Sequence, residues 1–380
     1  MPIDKSKHDC SGCTACVNVC PKKCISMVPD CLGFNYPVVD LTTCINCDLC
    51  VKICPFHESA INREPKAYAA RCNDTDELYK SSSGGAFVGI SDYIIKEGGV
   101  IYGVVYGDNL EVKHVRAENI QERDAMRGSK YVQSNINGII TSVKEDLKNG
   151  KTVLFVGTPC QSAGIGAAIP VKYKSKLILV DLICHGCPSP KVWEEYVKWF
   201  SKKHNFLPTK AVFRDKLESG WKKYTELFIS SDEIKKGGDY IELFKKDIML
   251  RESCGSCPFS SLNRPSDITI GDFWGYEVYK PELNVDGLGV SIMLANTNKG
   301  VEIMGKLSDY LKIEAVSLEY CMQKNLVQPT TLSQDRYLFK EDFKKHGLVY
   351  VMKRYGEYGY LNKIKRLTKR IINKVRRVLQ

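Results

Sequence analysis

The chain has 380 residues, 43% of them hydrophobic, and a formal net charge of +11. This composition supports a buried core and argues against disorder over most of the length. The charge does not indicate nucleic-acid binding, because residues 353–380 contain ten Lys or Arg and one acid and so carry +9 of it.

The cysteine content is unusual, with 17 in the chain. Residues 1–9 lack the apolar core of a signal sequence and no apolar run is long enough to span a bilayer, so we expect a cytoplasmic protein. In that reducing compartment, clustered cysteines indicate metal or iron-sulfur ligands, or redox catalysis, before disulfides. We divide the chain into a head (residues 1–65), a body (residues 66–350) and a basic tail (residues 351–380).

The head contains one cysteine run twice, Cys-x2-Cys-x2-Cys-x3-Cys-Pro, at residues 10–21 and 44–55. This is the signature of bacterial two-cluster ferredoxins, in which the fourth cysteine of each run binds the other cluster. It predicts a ferredoxin-like domain with two 4Fe-4S clusters. The first cluster would use Cys10, Cys13, Cys16 and Cys54, and the second would use Cys44, Cys47, Cys50 and Cys20.

Zinc is the alternative for the head, since paired Cys-x2-Cys groups also bind zinc. Cys24 and Cys31 have no place in the repeated pattern. We expect both to pack as small hydrophobic side chains.

Strand and helix patterns alternate along the body, which predicts an α/β or α+β fold. Two strands, at 152–156 and 177–182, are nearly continuous apolar runs and are typical of a buried sheet. The predicted helices cover residues 86–96, 136–148 and 191–203. The predicted strands cover residues 100–106, 111–116, 152–156, 177–182, 210–213, 224–230, 267–270 and 290–295.

A second group of cysteines lies in the body. Cys160 follows one apolar strand, and Cys184 and Cys187 follow the next. Loops at the carboxyl ends of such strands converge, so these thiols can face one site, to which the pair Cys254 and Cys257 can be added. We predict a third 4Fe-4S cluster on Cys160, Cys184, Cys254 and Cys257, with Cys187 as the substitute for Cys184. The alternatives are a structural zinc, a Cys254/Cys257 redox pair and a catalytic Cys160 with a lowered pKa.

Two polar segments are candidates for contact with the phosphate of a bound cofactor. Hydroxyls and two glycines at residues 81–85 precede the helix at 86–96, where free N–H groups favour a phosphate; the alternative is an ordinary capped helix. Lys130 is a candidate phosphate or flavin contact, with a solvated surface lysine as the alternative. His185 is a candidate proton donor, because imidazole ordinarily titrates near neutral pH, and a structural role is its alternative.

Six motifs occur in order along the body. They are Ser82-Ser83-Gly84-Gly85, Gly128-Ser129-Lys130-Tyr131-Val132-Gln133-Ser134, Gly157-Thr158-Pro159-Cys160-Gln161, Cys184-His185-Gly186 with Pro188-Ser189, the pair Cys254 and Cys257, and Gly271-Asp272-Phe273-Trp274-Gly275. Together they resemble the beta-subunit family of coenzyme F420 (deazaflavin) hydrogenases and dehydrogenases. The resemblance covers roughly residues 66–340.

Members of that family bind FAD and at least one 4Fe-4S cluster, so the resemblance implies a larger flavin and iron-sulfur domain behind the ferredoxin-like head. It implies that the body cysteines hold a cluster. It also implies the residues that would contact FAD, namely Ser82, Ser83, Gly84, Gly85, Lys130, Gly157 and Thr158.

The implied function is that of an FAD- and iron-sulfur-dependent oxidoreductase. A one-electron donor such as a ferredoxin or another redox enzyme would load the head, and FAD would deliver a hydride to a small organic substrate, or the reverse. Bacterial relatives with a fused ferredoxin head are often associated with surface-polysaccharide synthesis. The alternative is an electron-transfer subunit of a larger deazaflavin-linked hydrogenase or dehydrogenase complex.

Within the tail, hydrophobic residues recur at three- and four-residue steps among the basic residues of 361–380. This pattern predicts a basic amphipathic helix that contacts the inner face of an anionic membrane. The alternative is a helix docked on the body or on a partner subunit.

Overall fold

The structure is a computed structural model and describes residue 3 and residues 6–56, 64–216 and 220–359. The predicted tail helix at 361–380 lies outside the described residues. The fold is mixed α/β, with a small ferredoxin-like region at the N-terminus and a larger mixed sheet after it, as predicted. None of the described helices is both long and apolar enough to cross a membrane.

The head consists of a β-hairpin and two short helices. Its strands are antiparallel, with Met27 paired with Pro37. Each helix carries the third cysteine of one run, Cys16 or Cys50, and the two helices contact each other. The elements are α1 (Ala15–Val19), β1 (Ile25–Pro29), β2 (Asn35–Val39) and α2 (Leu49–Lys52).

The body is organised by a large mixed sheet of eight strands. The body strands are β3 (Lys66–Cys72), β4 (Val100–Tyr106), β5 (Val112–Ala117), β6 (Val153–Gly157), β7 (Leu177–Leu182), β8 (Lys210–Val212), β9 (Leu227–Ile229), β10 (Ile234–Lys236), β11 (Ile268–Asp272), β12 (Ser291–Ala295) and β13 (Leu311–Val316). The order in the large sheet is β13-β3-β12-β11-β7-β6-β4-β5. Its central strands β11, β7, β6 and β4 run parallel to one another, whereas the outer strands pair antiparallel. Strands β8, β9 and β10 form a separate three-stranded sheet.

Helices cover both faces of the large sheet, which explains the continuous apolar runs of its central strands. The body helices are α3 (Thr75–Lys80), α4 (Ala86–Lys96), α5 (Ile120–Asp124), α6 (Ile139–Lys148), α7 (Pro159–Ala168), α8 (Pro190–His204), α9 (Asp239–Phe244), α10 (Tyr276–Tyr279), α11 (Asn298–Met304) and α12 (Arg336–Arg354). Leu154 of β6 lies in one core with Ile90 of α4. The next residue, Phe155, lies in another core with Ile140 of α6 and Ile165 of α7.

The predicted elements agree with this arrangement to within two residues at each end, except for two that are shorter. The helix predicted at 136–148 begins at Ile139, because Gly138 has a left-handed φ of 80° and ends the preceding turn. The strand predicted at 224–230 shortens to Leu227–Ile229. Strands β3 and β13 and helix α12 were not predicted, and α12 spans the boundary expected at residue 350.

The tip of the head hairpin is part of the largest core of the body. Leu32 and Phe34 are fully buried there together with Trp193 of α8. The carbonyl of Leu32 accepts hydrogen bonds from Ser189 Oγ (2.6 Å) and from the N–H of Lys191 (3.1 Å). The head is therefore packed onto the start of α8 by both apolar and polar contacts.

Ser189 gives a test of this docking, because its Oγ also caps α8 by accepting the N–H of Val192 at 3.0 Å. We expect Ser189→Ala to cost about 1–2 kcal/mol of unfolding free energy. Amide hydrogen exchange in the head hairpin should also become faster. Thr297→Ala removes the comparable cap of α11 and is the control. Equal exchange in the hairpin of both variants would contradict the docking role.

Candidate functional site: three cysteine-lined cavities

Four cysteines line a cavity of about 370 Å³ in the head, here called the first head cavity. Three belong to the first run, and Cys54 comes from the second. The proline after it and Phe56 line the same space. The structure thus brings together the set predicted for the first cluster, which is Cys10, Cys13, Cys16 and Cys54.

The second head cavity, of about 350 Å³, shows the reciprocal exchange. Cys20 of the first run lies beside the three cysteines of the second, which are Cys44, Cys47 and Cys50. Cys24 also lines it, with its Sγ 3.4 Å from that of Cys20. Cys24 is buried, as expected for a packed thiol, but it is also a fifth thiol at this cavity.

The two cysteine runs share an unusual backbone conformation around the second cysteine. In each, the residues that flank the second cysteine have positive φ: Gly12 (73°) and Thr14 (65°) in the first, Asn46 (53°) and Asp48 (59°) in the second. Three of these four residues are not glycine, so the loops hold a conformation that side chains disfavour. Alternation of this kind turns backbone N–H groups toward one point and is common around iron-sulfur sites.

Burial makes the thiols of the first head cavity hard to ionise. Desolvation raises the pKa of Cys13 to about 11 and that of Cys16 to about 12, and neighbouring cysteines add to both shifts. These thiols are therefore protonated at neutral pH unless a metal binds them. Metal binding at this cavity would have to release protons.

The third cavity, here called the body cavity, measures about 480 Å³ and is lined by all five candidate thiols of the body. Cys160 stands in the first turn of α7, where Thr158 and Gln161 form a capping box. Cys184 follows β7, and Cys254 lies in the short 3-10 helix Glu252–Ser256. The five cysteines are Cys160, Cys184, Cys187, Cys254 and Cys257.

The choice between Cys184 and Cys187 stays open, because both line the body cavity. The backbone N–H of Cys187 donates to Cys254 Sγ at 3.3 Å. Hydrogen bonding with Cys187 is also the main cause that lowers the pKa of Cys254 to about 7, with Arg251 and Arg336 adding to it. Cys254 is thus the body thiol that ionises most readily among those with a resolved shift.

Cys160 differs from a catalytic nucleophile, which needs a lowered pKa. Its burial raises the pKa well above the ordinary value, and the nearby Cys257 raises it further. Within the part of the chain that the structure describes, no three or more His, Cys, Asp or Glu side chains converge as ligands of a single metal ion. The thiols instead surround the three cavities.

Two buried arginines, neither of them predicted, also line the body cavity. Arg264 pairs with Asp181 at 2.7 Å, and the two side chains are 1% and 0% exposed. Arg264 also donates to the carbonyls of Phe259 and Leu182, which ties the loop after Cys257 to the end of β7. The other is Arg251, which precedes Cys254.

His185 lines the body cavity beside Cys184. Its Nε2 lies 2.5 Å from Asp247 Oδ1, and its carbonyl accepts a hydrogen bond from Thr330 Oγ1. An adjacent carboxylate can orient such a ring. The role of His185 as proton donor remains a prediction.

The residues predicted for FAD lie in neighbouring turns and find partners within the chain. The N–H of Ser129 donates to Ser82 Oγ at 3.2 Å, and Ser83 Oγ donates to the carbonyl of Val290 at 2.9 Å. Lys130 Nζ donates to three backbone carbonyls, those of residues 126, 127 and 128. Burial lowers the pKa of Lys130 to about 7. In this conformation its ammonium has no donor left for a phosphate.

The other residues predicted for FAD also have local explanations. A Cβ on Gly84 would lie 2.3 Å from the carbonyl oxygen of Ala70 and 2.4 Å from the backbone N of Ser291. Gly85 has a φ of 84° and precedes α4. Gly157 ends β6, and Thr158 Oγ1 lies 3.3 Å from Cys160 Sγ, next to the body cavity. The geometry therefore accounts for these residues without a flavin.

Comparison with known proteins identifies both cysteine-rich regions. Residues 9–57 match the family model of the 4Fe-4S dicluster domain. Residues 150–320 match the model for the C terminus of the beta subunit of coenzyme F420 hydrogenase/dehydrogenase. The resemblance inferred from the motifs is thus confirmed, and the chain carries an iron-sulfur electron-transfer domain.

A solved structure, the xenon-derivatized F420-reducing [NiFe] hydrogenase complex from Methanosarcina barkeri, contains a similar chain. The two are 20% identical, and the match covers 76% of this chain and 90% of that chain with a TM-score of 0.46. A search of curated proteins finds no match.

A substitution at Gly84 can distinguish a packing role of this turn from a role in flavin binding. We expect Gly84→Ala to destabilise the protein by about 3 kcal/mol or more, the upper end for overpacking, because the atoms in the way are backbone. Thermal unfolding measures this. Gly128→Ala is the control, since its φ is 82° but nothing lies within 4 Å of the added Cβ, so only about 1 kcal/mol is expected. The packing explanation would be contradicted if Gly84→Ala were as stable as the parent protein without FAD and less stable than it only when FAD is added.

Proposed function

We propose, from the two family matches, that the chain is an electron-transfer protein that holds three 4Fe-4S clusters and acts together with a larger redox enzyme. The observation that carries the proposal is that cysteines distant in sequence line three separate cavities. Thiolates are the ligands of such clusters, so the donor set of each cavity fits.

The ligands follow from the linings of the cavities. The first head cavity would use the four cysteines that line it. The second would use Cys20 with the three cysteines of the second run, leaving Cys24 as a neighbouring thiol. The body cavity would use Cys160, Cys254, Cys257 and either Cys184 or Cys187. A bound 4Fe-4S cluster supplies a one-electron carrier at each place.

The residues of the chain put the first head cavity next to the body cavity. Ser11 and Phe56 line both. Gly164 of α7 lets the head approach closely, since a Cβ there would lie 2.6 Å from Cys13 Cβ. The second head cavity includes the exposed Cys47 and, among the described residues, shares no lining residue with the body cavity. We therefore assign the contact with a redox partner to the end of the head that carries the second head cavity.

An electron-transfer role with a partner has more support than a free-standing enzyme. The matched family is named for the beta subunit of a hydrogenase or dehydrogenase, and a subunit of that kind works within an assembly. The reduction of a small organic substrate in surface-polysaccharide synthesis remains a prediction. So does membrane contact by residues 361–380.

Flavin binding remains a prediction as well. A flavin phosphate that accepted a hydrogen bond from Ser83 or Lys130 would have to displace one that these side chains donate within the chain, whereas the Ser82 hydroxyl only accepts there and keeps its own donor. Acid release of flavin from protein purified without oxygen, followed by fluorescence, decides the point. One flavin per chain would restore the hypothesis of a flavin-dependent enzyme.

The crossed pairing of the head can be tested with single substitutions. About twelve irons per chain are expected from three clusters. We expect Cys54→Ser to lose the first head cluster and Cys20→Ser to lose the second, because these cysteines line the cavities of the opposite run. Iron and sulfide counts, with electron paramagnetic resonance of the reduced protein, measure which cluster is lost.

Cys31→Ser is the matched control, since Cys31 is a head cysteine that packs against the largest core instead of lining a cavity. It should keep all clusters. A reversed pattern, in which Cys54→Ser removes the second cluster, would show that each run binds its own cluster. A colourless protein with zinc and no iron would overturn the proposed function.

A further inference from the structure

Arg251 is buried between the head and the body, with 1% of its surface exposed. Its backbone belongs to the loop that carries the body thiols: its N–H donates to the carbonyl of Cys187 at 2.8 Å, and its carbonyl accepts the N–H of Cys254 at 3.0 Å. Its side chain lines the body cavity. The residue is thus fixed at one end to the body site.

The guanidinium of Arg251 is fixed at the other end to the head. Nε donates to the carbonyl of Cys10 at 2.7 Å, and Nη2 donates to the carbonyl of Asn35 at 2.9 Å. Nη2 also lies 3.8 Å from Cys10 Sγ. The guanidinium stacks over the ring of Tyr36, 4.3 Å from its centroid. The partners therefore include a thiol of the first head cavity and the chain around it.

Gln133 completes the connection from the body side. Its Oε1 accepts from Arg251 Nη1 at 3.0 Å, while its Nε2 donates to the carbonyl of Ser11 at 3.0 Å. Ser11 lines both the first head cavity and the body cavity. Arginine suits this place because its planar fork serves several acceptors at once, which a lysine cannot do.

The positive charge of Arg251 lies close to both the body cavity and the first head cavity. Apart from Cys10 Sγ, its hydrogen-bond acceptors are neutral carbonyl and amide oxygens, which do not cancel the charge. In a buried setting the interaction between charges is much stronger than in water. A 4Fe-4S cluster becomes more negative when it accepts an electron, and nearby charge and hydrogen bonds to its sulfurs set its reduction potential.

We infer that Arg251 is a positioning residue shared by two cluster sites, which holds the head in register on the body and raises the reduction potentials of both clusters. The inference rests on the proposed function. It distinguishes the three sites, because Arg251 lines the body cavity and its guanidinium contacts Cys10 of the first head cavity, whereas it is not among the described residues that line the second head cavity.

The test is a potentiometric titration of the full chain, followed by electron paramagnetic resonance, with signals assigned through Cys→Ser variants. In Arg251→Gln we expect the first head cluster and the body cluster each to lose at least tenfold in affinity for an electron, about 59 mV for a one-electron couple. The second head cluster should keep its potential. Arg251→Lys keeps the charge and should restore most of the loss at both clusters.

Gln133→Glu offsets the charge of Arg251 without removing it, since it places a carboxylate against the guanidinium. It should lower the same two potentials even if Arg251→Gln fails to fold. Tyr36→Phe is the control, because the Tyr36 hydroxyl is buried with no hydrogen-bond partner among the described residues and the ring under Arg251 is kept.

Unchanged potentials in Arg251→Gln and Gln133→Glu, with the iron content of the parent protein, would overturn the inference and leave the proposed function intact. Equal shifts at all three clusters would also overturn it, as would an Arg251→Lys variant that behaves like Arg251→Gln. Failure of the proposed function has a different signature, which is a parent protein without the three clusters.

Discussion

The parallel pairing of β6 and β7 is the constraint on which the body site depends. Gly157 at the end of β6 lies opposite Asp181 near the end of β7, so the segments that follow begin side by side. One of these segments carries Cys160 and the other carries Cys184. The pairing is stabilised by apolar cores on both faces of the sheet. Asp181 then binds Arg264, which brings the loop of Cys257 to the same edge. A shift in the register of these strands would separate the thiols.

Much of this arrangement could be predicted from the sequence, because local patterns determine it. The repeated cysteine run predicted both the ligand sets and their crossing, and the structure places the same two sets of cysteines around two cavities. The helix at 86–96 and the strands at 100–106 and 177–182 have the predicted bounds. Continuous apolar runs and a capped helix start are strong signals that need little tertiary information.

The missed elements lack such signals. Strand β3 contains three alanines, which are poor strand formers, yet it lies between β12 and β13 and is held by pairing on both sides. Arg251 could not be recognised either. Its neighbours in sequence gave no indication that the side chain would reach Cys10 in the head, because that contact exists only after docking. The glycine turn at 84–85 carries a pattern typical of phosphate binding, and its close packing on the sheet could not be seen from the sequence, because it depends on Ala70 and Ser291 in distant strands.

Contact between Gly164 of α7 and Cys13 has a kinetic consequence. Electron tunnelling slows steeply with distance, so a carrier on a swinging domain is limited by the time that the domain spends in contact. Here the head and α7 touch at van der Waals distance, and the hairpin tip is enclosed in the core of the body. In the proposed function, an electron that crossed this boundary would need no hinge motion and no encounter between separate molecules. Fusion thereby replaces a diffusive, concentration-dependent step with one whose rate is independent of protein concentration.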